Sequence, residues 1–170
     1  MTAYVALLRA VNVGGTGKLP MTDLRDLCES LGYIGVKTYI ASGNVVFKSG
    51  KPESKVKAGL ESALAKYAGK PVGVLVRTAA EMAEVFARNP FPEAPGNRTV
   101  AIFLDEPPPA NAMENLKGQK DEQLHLGKRE IYVFYGDGMG NSKLTIPAAK
   151  LGTARNMNTV ATLAKMAAEL

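Results

Sequence analysis

Tyr4-Val5-Ala6-Leu7-Leu8 is an unbroken apolar run, five residues long, that stops at Arg9. A run of that length reads as a strand buried on both faces, so it requires a neighbouring strand on each side. The chain leaves it through Arg9 and Asn12 into Gly14-Gly15-Thr16-Gly17-Lys18, then enters a different periodicity. Met21, Leu24, Leu27, Cys28 and Leu31 recur at helical spacing with Asp23, Arg25, Asp26 and Glu29 between them. That pattern predicts an amphipathic helix with Pro20 in its first turn, where no amide donor is needed, and Gly32 at its end.

Residues 36–41 and 45–48 are rich in β-branched and aromatic side chains and predict two strands joined by a tight Ser42-Gly43-Asn44 hairpin. Pro52 opens a second helix whose stripe is Val56, Leu60, Ala63, Leu64 and Tyr67, ending near Gly69, and residues 72–76 predict a strand. The first half, residues 1–77, thus reads β-α-β-β-α-β, the ferredoxin-like order. In residues 78–170, Thr78 and Glu81 form a capping box for a helix that buries Met82, Val85 and Phe86 and stops at Asn89-Pro90. The proline-rich residues 90–97 are the expected hinge. Strands over 99–104, 122–126 and 131–135 follow, with a short helix over 110–116 carrying Met113 and Leu116 inward, and helices over 146–151 and 159–170. The last of these turns Val160, Leu163, Ala164, Ala167 and Leu170 inward. The expected fold class is α+β: a ferredoxin-like half followed by a similar β-α-β-β-α half, the two packed into one compact protein.

A chain of 170 residues buries roughly 70% of its unfolded surface, enough for a core without metal or disulfides. Its 46% hydrophobic and 22% charged residues are ordinary globular values, and no apolar stretch approaches the roughly 18 residues of a membrane helix. The start lacks a basic segment followed by a long apolar one, and the single cysteine, Cys28, has no partner, so cytoplasmic residence is the expectation. Cys28 lies on the apolar helix face with no base beside it and reads as packing. A formal charge of +5 favours anionic partners in general, but the basic residues are spread along the chain. One histidine, His125, and no His/Cys cluster argue against a zinc site, and no cofactor is indicated.

Two segments hold the candidate chemistry. The first is Arg9, Asn12, Gly14, Gly15 and Lys18. Gly17-Lys18 invites comparison with a phosphate-binding P-loop, but that motif needs glycine at 12 and a hydroxyl at 19, where this chain has Asn12 and Leu19. What survives is a nest of backbone N–H groups from Gly14 and Gly15 with Arg9 and Lys18 adding charge, or simply a glycine turn with a solvated lysine. The second is Thr153-Ala154-Arg155-Asn156-Met157-Asn158-Thr159, just before a predicted helix. Asn156 or Asn158 can cap that helix, and Arg155 can grip a carboxylate or phosphate with two parallel bonds or pair with a structural carboxylate. Ser42 and Asn44 join the candidate ligand-binding set, with turn chemistry as their alternative; so do Ser142 and Lys143, which are not spaced as a nucleophile and its base.

Three segments carry a family resemblance: YVALLRAVNVGG, TYIASGNVVF and GTARNMNTVATL. Together they resemble the bacterial conserved-hypothetical family catalogued as domain of unknown function 1697. The resemblance implies a small α/β protein of ferredoxin-like character, with no established activity. Where that family has tryptophan in R-N-W-N-T this chain has Met157, which would weaken any stacking of that ring on a ligand. The expected function is binding of an anionic small molecule, a nucleotide or phosphorylated metabolite, at a site joining the two motifs. The alternatives are nucleic-acid binding, or a structural or partner-binding role. RNA-recognition modules share the β-α-β-β-α-β order, but the corresponding strand, Gly43-Asn44-Val45-Val46-Phe47, offers one aromatic and no stacking platform. Neither a reaction, nor a membrane role, nor an oligomeric state is indicated.

Overall fold

The computed structural model describes residues 1–11, 18–136 and 139–170. Packing divides the chain into two compact units, Met1–Ala83 with Leu163–Leu170, and Glu84–Thr162. The fold is α+β with two similar halves, each built on one four-stranded antiparallel sheet.

In the first unit the order is β1 (Thr2–Leu8), α1 (Met21–Ser30), β2 (Ile34–Thr38), β3 (Asn44–Ser49), α2 (Glu53–Ala68) and β4 (Val74–Thr78). The sheet runs β2-β3-β1-β4, so the apolar run of the N-terminus is an interior strand with β3 on one side and β4 on the other. Tyr4 through Leu8 are all buried, as a strand covered on both faces requires. Tyr4, Ala6 and Leu8 point to one face, where they meet Leu24 and Cys28 of α1 and Val56, Leu60 and Leu64 of α2 in a single core. Tyr33 stacks on Phe47 there with ring centroids 4.4 Å apart. Pro20 caps α1 through its carbonyl, which accepts from the Leu24 N–H at 3.1 Å. Gly69, with φ +71°, ends α2 in the left-handed conformation.

The second unit repeats this arrangement with less helix. After α3 (Ala79–Ala87) come β5 (Thr99–Phe103), β6 (Gln123–Leu126), β7 (Glu130–Phe134), β8 (Thr153–Asn156) and α4 (Met157–Ala168). The sheet runs β6-β7-β5-β8, the same order as in the first unit when its strands are counted from its own start. Its apolar core gathers Val100, Ile102, Leu104, Ile131, Val133 and Ile146.

Several elements differ from expectation. Residues 110–116 form no helix; Ala112 N–H donates to Pro109 O and Glu114 N–H to Asn111 O, bonds that close successive four-residue turns. The helix expected over 146–151 shrinks to a 3₁₀ turn at Pro147–Ala149. The hairpin after β2 is a loop over residues 39–43, with Ile40 at φ +48°, so positions 39–41 leave the strand. Phe86 and Met113, expected inward, are 48% and 40% exposed. The largest miss is β8, whose short polar sequence carries no strand signal and pairs only because β5 offers an edge.

Cys28 is fully buried on α1, and burial pushes its thiol from 9.0 up to about 12. An acid with a raised folded value keeps its proton where the unfolded chain has lost it, so stability drains away as pH climbs from 9 toward 12. Unfolding free energies measured at pH 8 and pH 10 should fall by about 1.4 kcal/mol more in the native chain than in Cys28→Ala. Equal slopes in the two proteins would refute the assignment.

Candidate functional site

The site is built where β1 ends. Its last amide, Leu8 N–H, donates to Gly43 O at 2.9 Å, and the next, Arg9 N–H, donates to Gly73 O at 2.9 Å on the other side. At Gly43 both the backbone and the available space call for glycine. A β-carbon at Gly43, where φ is +87°, would lie 2.5 Å from Val11 Cγ2 and 2.9 Å from Leu8 Cβ. At Gly73 it would lie 2.9 Å from Arg9 Cδ. Ala10 then takes φ +52°, turning the chain sharply out of the sheet.

A cleft of about 610 Å³ opens beside this turn. Arg9, Ala10 and Val11 form one wall, Lys18 and Leu19 a second, Leu64, Tyr67 and Ala68 at the end of α2 a third, and Lys70 through Gly73 a fourth. The fourth wall is braced from α2. Lys57 Nζ donates to Val74 O at 2.5 Å, and Val74 N–H donates to Glu61 Oε2 at 3.1 Å, which occupies both backbone groups of the residue where β4 begins. Tyr67 is tied down as well, its hydroxyl donating to Asp23 Oδ2 at 2.6 Å. Lys70 follows the carbonyl end of α2, where a cation also offsets the helix dipole.

Of the residues singled out in the sequence, Arg9 and Lys18 are therefore brought to one cleft. Asn12, Gly14 and Gly15 lie outside the described residues. Leu19 is buried in the apolar core, the opposite of the metal-binding hydroxyl a P-loop would place there. Ser42 and Asn44 serve the loop before β3. Asn44 is fully buried, and its Nδ2 donates to Tyr39 O at 3.0 Å and to Ser42 Oγ at 2.8 Å. Tyr67, Lys70 and Gly73 were not singled out. Topology held the missing signal: an antiparallel β4 beside β1 sets Val74 against Leu8, so the loop before β4 must flank the loop after β1.

The remaining candidates lie in the second unit. Ser142 donates to Glu122 Oε2 and accepts from Leu144 N–H at 3.2 Å, while Lys120 N–H donates to Glu122 Oε1 at 2.6 Å. The Ser142 hydroxyl first, and then the Lys120 amide, hold the Glu122 carboxyl below its ordinary value, so this pair fastens loops and offers no base. The Lys143 carbonyl faces Gly118, where a β-carbon would come within 2.2 Å, and its side chain is exposed. His125 is exposed on β6, opposite Tyr132 of β7.

Thr153, Arg155 and Asn156 belong to β8, not to a loop. Asn156 Oδ1 accepts from Thr159 N–H at 2.9 Å and so caps α4. Asn158 is exposed beside Gly96, which has no room for a side chain against its amide. Met157, where the family resemblance sets tryptophan, is buried. Arg155 is only 7% exposed; Nη1 donates to Thr153 Oγ1 at 2.7 Å and Ala154 O at 2.9 Å, and burial lowers its guanidinium to about 10, still charged at neutral pH.

Arg155 has a twin in the first unit. Arg77 on β4 is buried too, pairs with Val5 in the middle of β1 as Arg155 pairs with Ala101 in the middle of β5, and donates to its own preceding carbonyl at 3.0 Å. Each arginine is followed by the residue that caps the next helix, Thr78 in one unit and Asn156 in the other. A repeated buried arginine at one position of a repeated fold weighs for a role in the fold.

The family model described as "Protein of unknown function (DUF1697)" matches residues 1–132. This chain belongs to the DUF1697 family. The matched span contains the whole cleft, whereas the Thr153–Asn156 strand lies beyond it. Among solved structures, the conserved bacterial protein SP0830 from Streptococcus pneumoniae is similar over 98% of both chains, with 26% identity and a TM-score of 0.81. Comparison with curated proteins gives no match. Among the described residues of this DUF1697 protein, no group of three or more His, Cys, Asp or Glu side chains could hold a metal, and no helix is long and apolar enough to cross a membrane.

Two substitutions test this geometry. Gly43→Ala should cost on the order of 3 kcal/mol in denaturant melts, from the left-handed backbone and the overlap with Leu8 and Val11 together; an unchanged midpoint would mean the loop is not held as described. Arg155→Ala should likewise cost on the order of 3 kcal/mol, through the cavity and the polar atoms it strands. A free protein as stable as the native chain would favour a ligand-binding role for Arg155 over a role in the fold.

Proposed function

We propose that this DUF1697 protein binds an anionic small molecule, a nucleotide or a phosphorylated metabolite, in the cleft beside the end of β1. The observation that carries the reading is the lining itself. Three cationic side chains, Arg9, Lys18 and Lys70, share a concavity whose other walls include Val11, Leu19, Leu64 and Val72. Small-molecule sites combine an apolar concave wall with a few convergent polar groups, and an excess of positive charge selects an anion. Arg9 is the central group of the proposal. Its stem lies against Gly73 and its backbone is bonded to the same residue, so the side chain starts from a fixed place instead of a mobile loop. The Arg155 segment belongs to the other unit, and the proposal does not depend on it.

Titration calorimetry against inorganic phosphate, nucleoside phosphates and sugar phosphates tests the reading. Arg9→Ala should weaken binding about 10- to 100-fold, the range for losing hydrogen bonds to a charged group, with little change in the melting temperature of the free protein. Binding of long oligonucleotides that falls as a steep power of salt, with no response to mononucleotides, would replace this reading by a nucleic-acid one.

A further inference from the structure

The cleft contains one feature that a plain phosphate site does not need. Tyr67 continues the α2 stripe of Val56, Leu60 and Leu64, yet those three are buried while Tyr67 is 47% exposed. The stripe runs past the edge of the core, and its last member emerges as a wall of the cleft. An open tyrosine at a helix end is ordinarily mobile, but this one is held at both ends. Its backbone is in α2, and its hydroxyl is bonded to Asp23 in the first turn of α1. A ring fixed before binding loses little rotational freedom when a ligand settles on it.

From this, and resting on the anion reading above, we infer that the ligand joins a planar ring to its anionic group, as a nucleoside monophosphate does, with Tyr67 as the surface on which the ring lies. The cations and the aromatic wall divide the work. Arg9, Lys18 and Lys70 take the anion, while Tyr67, flanked by Leu64, offers apolar area that a phosphate or small sugar phosphate would leave wet. The volume of about 610 Å³ suits a molecule of nucleotide size and far exceeds a bare phosphate. Stacking on an aromatic side chain tolerates any base, so this wall selects for a ring without choosing among rings.

The experiment is calorimetry at low salt with AMP, ribose 5-phosphate and adenosine, on the native chain, Tyr67→Leu and Tyr67→Phe. AMP should bind at least about tenfold tighter than ribose 5-phosphate, and adenosine should bind weakly for want of the anion. Tyr67→Leu should bring AMP affinity down to that of ribose 5-phosphate measured on the same variant, and Tyr67→Phe, which keeps the ring but not its bond to Asp23, should retain part of the preference. Independently of any variant, the adenine ring protons should move upfield in NMR spectra when AMP binds the native chain. Equal affinities for AMP and ribose 5-phosphate, or ring protons that do not move, would overturn the stacking inference and leave the anion site standing. No binding by either phosphate would bring down both.

Discussion

The end of β1 is held in a grip that the rest of the first unit depends on. Two successive amides, on Leu8 and Arg9, donate to the carbonyls of two glycines on opposite sides, Gly43 before β3 and Gly73 before β4. Gly43 cannot be replaced without moving Leu8 or Val11, because its backbone is left-handed and its empty side is filled by both, while at Gly73 the space is taken by the stem of Arg9. The backbone geometry at this point is therefore over-determined: two hydrogen bonds, two close contacts and a left-handed Ala10 agree on one path. An interior strand fixed so closely at its exit sets Arg9 against the end of α2. The cleft is a consequence of that placement.

The two units use one strand order for different ends. In the first, two full helices pack on one face of the sheet, and the loops at the end of β1 enclose a cleft. In the second, turns and 3₁₀ segments occupy the connections between strands, and Ser142, Glu122 and Asn156 spend their hydrogen bonds on loops and a cap. The buried arginines, Arg77 and Arg155, make the relation concrete. Each is one residue before a helix cap and opposite the middle of its unit's first strand. Otherwise the halves share a strand order without a visible sequence repeat.

Much of the fold could be read from sequence because its signals are local. The apolar run of β1, the helical spacing of α1, the Thr78–Glu81 capping box and the alternation of β6 all depend on neighbours within a few residues, and the structure has each of them. Local signals also misled where composition imitates a helix without supplying its bonds, as in residues 110–116 after a run of prolines. β8 left no local trace at all, since a four-residue polar strand gains its stability from the edge it pairs with.

The candidate site divides along the same line. Sequence alone marked Arg9 and Lys18, because charge beside a glycine turn at the end of a buried strand is unusual and local. Only tertiary structure could add Tyr67, Lys70 and Gly73, which reach the site by the pairing of β4 with β1 across some 60 residues of chain. Only tertiary structure could move Arg155 from a helix-opening loop into a buried strand, because burial is a property of what surrounds a residue and not of its type. Local sequence decided the elements whose signals lie within a few residues; packing decided β8 and which side chains meet.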